Sequence, residues 1–128
     1  MTDFFDLAED RRSVRAYLDT PVTEEQVQKV IACGHEAPSG GNLKEWRFIV
    51  IRDPEQKRRV VAATYSRNNE SSPPQAWLAE APVLIAVAVD LSIALGRYGR
   101  HGIDSLVYLD CGCAVQNMLL AACALGLS

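Results

Sequence analysis

Ala37-Pro38-Ser39-Gly40-Gly41-Asn42 is the stretch of this sequence that says most about the fold. It lies between a predicted helix and a predicted strand. The paired glycines allow positive φ angles and let backbone amides approach a ligand closely. Ser39 and Asn42 add short polar groups that suit a planar heterocycle. An ordinary helix-to-strand turn uses the same residue types, so this stretch alone leaves both interpretations open.

A basic segment, Arg11-Arg12-Ser13-Val14-Arg15, precedes it. If this segment is extended, alternate side chains point to the same side. The guanidiniums of Arg11 and Arg15 and the hydroxyl of Ser13 then face the same point. They would form a good phosphate site, because an arginine guanidinium makes bidentate hydrogen bonds to two phosphate oxygens. A solvated run of surface charge is the alternative.

Periodicity and capping signals place the regular elements around these two segments. Thr23 is a predicted N-cap with Gln26 three residues later, as in a capping box, and Asp53 with Pro54 starts another helix. The predicted helices are 4–9, 23–37, 54–63 and 106–125, with a short helix at 77–80. The predicted strands are 47–52 and 83–89. A polar loop covers 64–75, and a glycine-rich turn covers 96–102.

Hydrophobic patterning predicts where these elements are buried. Both strands have continuous apolar centres, which is typical of burial on both faces. The last helix is apolar all round, which predicts burial on most sides, and Phe4 and Phe5 are expected to supply apolar contacts from the first helix. Two strands alone make a marginal sheet, so we expect more chain or a partner subunit to complete it.

Composition limits the classes of protein. The 128 residues suit one domain over 1–128, and the net charge of −3 with a pI near 5.3 argues against a general nucleic-acid binder. The start of the chain lacks the pattern of a secretory signal. Four cysteines without a disulfide pattern favour a reduced, cytoplasmic setting. The uncharged stretch 111–128 approaches the length of a spanning helix, but interrupting polar and glycine residues favour a buried core helix.

Two further patterns are easily over-interpreted. Cys111 and Cys113 lack a second pair or a nearby histidine, so we predict close helix packing and no metal site. Glycines at 96, 99 and 102 neither follow a strand nor open a helix, so they are not a dinucleotide fingerprint. Trp77 and the loop before it either cover a ligand or form a surface loop with Trp77 in the core.

The ordered set of motifs resembles the nitroreductase family of flavoenzymes. The resemblance runs along the whole chain, from the basic segment and the 37–42 stretch to Trp46 at the start of a strand. It continues through Glu80-Ala81-Pro82, Arg97-Tyr98-Gly99, Asp110-Cys111-Gly112-Cys113-Ala114-Val115-Gln116-Asn117 and Ala124-Leu125-Gly126-Leu127.

This resemblance implies an α+β, nitroreductase-like fold. A mixed or antiparallel sheet is flanked by helices, and two chains form an intertwined homodimer with FMN at the interface. The implied phosphate ligands are Arg11, Arg12, Ser13 and Arg15. The implied flavin contacts that the other subunit contributes are Pro38, Ser39, Gly40 and Asn42. Lys44 is a further implied flavin contact, because it stands where the family has a glutamine that touches the ring.

Two departures from the family pattern stand out. Lys44-Glu45 replaces the usual Gln-Pro before the tryptophan; a lysine there can stabilise negative charge on the flavin. The second departure is that residues 1–128 do not include the C-terminal loop, strand and arm that the family usually has.

The resemblance implies an NAD(P)H-dependent FMN oxidoreductase that reduces nitroaromatics, quinones or similar small acceptors. No side-chain nucleophile is expected, because the cofactor carries the chemistry. The alternative is a catalytically incomplete FMN-binding or structural dimer. Neither a nucleic acid nor a membrane is an expected partner.

Overall fold

The computed structural model describes residues 3–64 and 75–128 of the chain. Five helices and two strands carry most of the described backbone. In chain order they are α1 (Phe4–Asp10), α2 (Glu24–His35), β1 (Trp46–Ile51), α3 (Pro54–Ala62), β2 (Leu84–Val89), α4 (Leu91–His101) and α5 (Val107–Ala124). Short 3-10 turns lie at Gly40–Asn42 and Ala76–Glu80, and a π turn joins α4 to α5 at Gly102–Leu106. Most of the predicted 64–75 loop lies outside the described residues.

Local capping signals start the helices as predicted. The Thr23 amide donates to Gln26 Oε1 at 2.9 Å and the Gln26 amide donates to Thr23 Oγ1 at 3.2 Å, which completes the capping box of α2. Asp53 accepts the Gln56 amide at 2.8 Å, and Pro54 takes the first helical position of α3. Both predictions are confirmed because each depends only on residues within one turn.

The chain divides into two compact units. The first contains the described residues of 3–13, 23–48 and 87–128, and the second those of 14–22, 49–64 and 75–86. In the first unit, α2 packs against α5, with Gly34 facing Met118. Its core cluster consists of Ala37, Trp46 and Ala114, with Phe48, Val87, Cys111 and Cys113 packed against it. The two cysteines therefore serve packing, and a single domain over 1–128 stays a prediction.

The second unit is held by α3 and the turn at Ala76–Glu80. Lys57 Nζ donates to the Ala81 carbonyl at 2.8 Å, and Val61 of α3 is buried. Arg52 reaches back to the Val22 carbonyl at 3.0 Å. The ring of Trp77 stacks on Tyr17 with centroids 6.1 Å apart, and Trp77 is half-buried; both interpretations of Trp77 and the loop before it stay predictions.

β1 and β2 form a small antiparallel sheet. The Asp90 amide, just after β2, donates to the carbonyl of Glu45, just before β1, at 2.8 Å. The prediction that both strands are buried on both faces is wrong for this chain, since Ile49 is 51% exposed and β2 is only partly buried along its length. A continuous apolar run predicts double burial only where other elements cover both faces, and the described residues do not do so here.

Three further expectations about the helices were wrong. The predicted turn at 96–102 is largely helix α4, with a kink at Gly99. α5 buries one stripe, Val107, Asp110, Ala114, Met118 and Ala122, and is not buried all round. Tyr108 and Leu109 on α5 are 74% and 64% exposed, and Phe4 and Phe5 of α1 are also exposed. These apolar side chains have no cover within the described part of one chain.

The combined helical run Leu91–Ala124 is long and apolar enough to cross a membrane by length and composition. This is weak evidence, because core helices of soluble proteins meet the same criterion. The run is also broken, since Gly99 has non-helical angles and the π turn begins three residues later, at Gly102.

Candidate functional site

The first part of the basic segment lies at the end of α1, in the first unit. Arg11 is the C-cap residue of α1 and is half-buried. The guanidinium of Arg12 donates to the carbonyl of Glu9 and, at 2.9 Å, to that of Arg11. Both arginines line a small cleft whose other walls are Asp10, Leu119, Cys123, Leu127 and Ser128. The cleft brings two positive charges to the C-terminal end of α5.

Ser13 closes the same stretch of the first unit, whereas Arg15 belongs to the second unit. Arg15 lies over the Trp77 ring, 5.9 Å from its centroid, a distance at which a cation and an aromatic face attract. Burial raises the pKa of the neighbouring Tyr17, and the charge of Arg15 opposes that rise. The segment from Arg11 to Tyr17 is neither helix nor strand. The convergence of Arg11, Ser13 and Arg15 on one phosphate stays a prediction.

The second predicted segment forms a tight turn after α2, which we call the 38–44 loop. The Asn42 amide donates to the Ser39 carbonyl at 2.9 Å, and the Lys44 amide donates to Ser39 Oγ at 2.9 Å. Gly41, Asn42 and Lys44 have φ values of 58°, 55° and 47°, in the left-handed region. Glycine adopts this region freely and asparagine tolerates it, but lysine rarely does. The backbone of the 38–44 loop is therefore held in an uncommon shape.

Tyr98 of α4 explains why glycine is needed in this loop. A Cβ atom on Gly41 would lie 2.7 Å from the Tyr98 hydroxyl oxygen. A Cβ on Gly40 would lie 3.5 Å from both Tyr98 Cε2 and Asp110 Oδ2, which is ordinary contact. The two glycines therefore have different roles. Gly41 adopts a left-handed conformation next to Tyr98, and Gly40 places its backbone amide close to the Asp110 carboxylate.

A buried pair of acids lies beneath the 38–44 loop. Glu45 is 1% exposed and Asp110 is 5% exposed. The Gly40 amide donates to Asp110 Oδ2 at 2.9 Å, which ties the loop to α5. Burial raises the pKa of Glu45, and the adjacent Asp110 carboxyl raises it further. Burial and the same two acids also raise the pKa of the Cys111 thiol.

Sequence reasoning found the loop but not the side chains that support it. The sequence did not predict that Glu45 and Asp110 form a pair near the site. Tyr98 was noted only as part of a motif. The available signal was Asp110 itself, the one charged residue in the sequence of α5, because a charged residue on a buried helix normally requires a partner. Among the predicted residues, the structure brings Ser39, Gly40, Asn42 and Lys44 together in the loop, with Pro38 leading into it.

Comparisons with known proteins agree with this arrangement. The sequence profile described as the Nitroreductase family matches residues 8–128. A provisionally named NADH dehydrogenase/NAD(P)H nitroreductase of Archaeoglobus fulgidus is 33% identical over 118 residues, which is 91% of this chain and 59% of that protein. An FMN reductase [NAD(P)H] of Bacillus subtilis is 30% identical over 92% of this chain and 49% of its own length. The chain thus spans three fifths or less of these curated relatives.

Solved structures share the fold. A nitroreductase-type protein of Desulfovibrio desulfuricans, solved in complex with FMN, has a TM-score of 0.77 and 33% identity, covering 98% of this chain and 64% of that one. A protein of Parabacteroides distasonis also has a TM-score of 0.77, with 30% identity over 95% of this chain and 62% of that one. The profile match over nearly the whole chain, with the antiparallel strand pair and the glycine loop after α2, shows that the chain belongs to the nitroreductase family.

Proposed function

We propose that this chain binds FMN and belongs to an oxidoreductase that uses NAD(P)H to reduce small acceptors such as nitroaromatics or quinones. The observation that carries the proposal is the 38–44 loop, whose left-handed positions at Gly41, Asn42 and Lys44 hold an uncommon backbone shape. The FMN-bound relative and the FMN reductase relative support the same cofactor.

The residues present fit FMN. Gly41 lets the loop turn closely against Tyr98, since a Cβ there would lie 2.7 Å from the tyrosine hydroxyl, and this close turn gives the loop the backbone shape that we assign to flavin binding. The arginines supply the positive charge and paired donors that a phosphate requires. We assign the phosphate to Arg11, Arg12, Ser13 and Arg15. We assign the ribityl chain and ring to Pro38, Ser39, Gly40, Asn42 and Lys44.

When bound, FMN would supply the hydride and electron transfer. The chain's own residues bind and orient it. Lys44, half-buried beside the loop, offers a positive charge that favours negative charge on a bound ring, because fixed charges act strongly where water is excluded. We expect no side chain to form a covalent bond with substrate.

We further propose a homodimer in which each loop reaches the other chain's FMN. The support within this chain is the outward side of α5, where Tyr108 and Leu109 are 74% and 64% exposed. Exposed large apolar residues grouped on one helix typically mark an interface. A cytoplasmic location stays a prediction.

The second candidate function is FMN binding without turnover. It is favoured by Lys44-Glu45, which stands where the family usually has Gln-Pro. The two candidates differ in one measurement: both predict yellow protein, but only the enzyme predicts that added NAD(P)H bleaches the flavin absorbance. Colourless protein that takes up no added FMN would contradict both.

The phosphate assignment has its own test. Replacing both arginines, Arg11→Ala with Arg15→Ala, should weaken FMN binding about a hundredfold or more, because each charge-assisted hydrogen bond contributes about 1.5–3 kcal/mol. The matched control is Arg58→Ala with Arg59→Ala, which removes the same charge from exposed positions of α3. Equal FMN affinity of the two double variants in a fluorescence titration would show that the phosphate lies elsewhere.

A further inference from the structure

Glu45 and Asp110 are the buried acidic residues of the described chain, and a hydrogen bond with Asp110 is among the causes that raise the pKa of Glu45. Asp110 Oδ2 accepts the Gly40 amide at 2.9 Å. Glu45 Oε2 is buried and has no hydrogen-bond partner among the described residues. The pair therefore couples the 38–44 loop to α5 through a chain of contacts that runs from Gly40 to Asp110 to Glu45.

Two carboxyls that hydrogen-bond to each other share a proton, since two carboxylates have only acceptors. The contacts indicate where that proton lies. Asp110 Oδ2 already has the Gly40 amide as a donor, whereas the bare Glu45 Oε2 would leave an unpaired charge in the interior if Glu45 were ionised. The proton therefore belongs on Glu45, in agreement with the raised pKa of this carboxyl.

We propose that Glu45 is a positioning residue: its protonated carboxyl holds Asp110 against the Gly40 amide, and the 38–44 loop loses its FMN-binding shape when the pair loses its shared proton. This inference rests on the proposed FMN site. Neither acid needs to touch FMN, because the effect reaches the cofactor through the loop backbone.

Other titratable groups surround the pair and must be separated from it. Cys111 of α5 interacts electrostatically with both acids, and Lys44 precedes Glu45 in the chain. Four further groups lie on neighbouring elements: Tyr98 beside Gly41, His35 accepting from Trp46 Nε1 at 3.5 Å, and the ion pair of Asp90 and Arg47 at 3.5 Å beside the Glu45 carbonyl. An amide at position 45 replaces none of these groups, but it removes the Glu45 charge that raises the pKa of Cys111, so Cys111 requires a variant of its own.

The proposal predicts a direction with pH. If only the protonated pair holds the loop in shape, the apparent Kd for FMN equals the intrinsic Kd divided by the protonated fraction. FMN binding then weakens as pH rises through the titration of the pair, by up to about tenfold for each further pH unit. The affinity is greatest on the acidic side of this transition.

The test is a set of FMN titrations across pH for the wild type and for Glu45→Gln. The glutamine amide still donates to Asp110 but does not ionise, so the alkaline weakening should disappear. Glu36→Gln is the matched control, since it makes the same chemical replacement, carboxyl to amide, at an exposed position that follows α2, and it should keep the wild-type profile. Because all three proteins bind the same ligand, ionisation of FMN itself cancels. Parallel profiles for the wild type and Glu45→Gln overturn the proposal.

A second measurement does not depend on FMN. The exchange protection of the Gly40 amide, corrected for its intrinsic pH dependence, should fall as pH rises in the wild type and stay constant in Glu45→Gln. If protection follows this pattern but neither the wild type nor any variant binds FMN, the positioning role of Glu45 is supported and the proposed function fails. If FMN binds but Gly40 protection is the same in both proteins at every pH, the proposed function stands and this inference fails.

The reciprocal variant is Asp110→Asn. Its amide can still accept from Gly40 through the carbonyl and donate to Glu45, which then ionises more easily. The alkaline weakening should therefore vanish here too, while Cys111→Ser should leave it unchanged. Loss of the transition in Cys111→Ser alone would assign the titration to the thiol and overturn the role of Glu45.

Discussion

Gly41→Ala tests whether the loop shape has the physical causes assigned to it. Two costs are expected. The left-handed φ of 58° at this position costs an alanine roughly 1–2 kcal/mol. The added Cβ also lies 2.7 Å from the Tyr98 hydroxyl, and overpacking of this kind costs about 1–3 kcal/mol. The free energy of unfolding should therefore fall by about 2–5 kcal/mol.

The two costs separate in a Tyr98→Phe background. Without the hydroxyl, the nearest atoms to the new Cβ are Tyr98 Cζ and Cε2, at 3.6 and 3.8 Å, which is ordinary contact. Gly41→Ala should then cost only the backbone part, roughly 1–2 kcal/mol. The difference between the two backgrounds measures the steric part.

The assay is urea unfolding followed by the fluorescence of Trp46, which is 2% exposed and should respond to loss of the core. Gly96→Ala is the control: Gly96 lies inside α4, and its new Cβ would meet nothing within 4 Å. That substitution should stabilise the chain by about 0.5–1 kcal/mol. An equal loss from Gly41→Ala in both backgrounds would show that Tyr98 is not the obstacle, and a loss below about 0.5 kcal/mol in both would refute the backbone argument as well.

Two further predictions concern α4 and α5. Hydrogen bonding from Ser92 lowers the pKa of Asp90 from its usual value of 3.8. The charged Asp90 therefore stabilises the folded state at any pH above 3.8. This stabilisation is lost as the pH falls through the lowered pKa. Asp90→Asn keeps a helix cap without titrating and should flatten the fall of the melting temperature over that acidic range; an unchanged acid profile would contradict this. On α5, Leu109→Glu places a charge in the proposed interface and should lower the mass measured by light scattering while circular dichroism stays the same. An unchanged dimer mass would exclude this face.

Local signals predicted much of the fold. The capping box at Thr23 and Gln26 and the Asp53-Pro54 start of α3 were correct because they depend on neighbours in sequence. α4 was missed because Gly96, Gly99 and Gly102 lower helix propensity. Packing overrides that propensity: a Cβ on Gly102 would lie 2.6 Å from the Ala94 carbonyl oxygen, so glycine allows a close approach there.

The site was predicted only in part, for a similar reason. The 38–44 loop has a local signature of glycines and short polar residues. Its supports do not, because the contact between Glu45 and Asp110 joins residues far apart in the chain. No periodicity or cap signals that an acid before a strand will meet an acid on a helix. The one signal in the sequence was Asp110, an acid in a helix that was predicted to be buried. This signal indicates that the acid has a partner but does not identify the partner.

Lys44 and Glu45 depart from the family pattern, and we interpret them together with Asp110 as one group of charged side chains. Removing either carboxyl would leave the other buried with fewer partners, a situation that is costly for a charged group. With the shared proton in place, the pair of Glu45 and Asp110 carries one negative charge and Lys44 carries one positive charge. The net charge of these three residues is then zero. Without the proton, negative charge exceeds positive charge beneath the loop, and an anionic ligand is repelled there. Loop anchoring and charge balance therefore favour FMN in the same protonation state, and Glu45→Gln should preserve both at high pH.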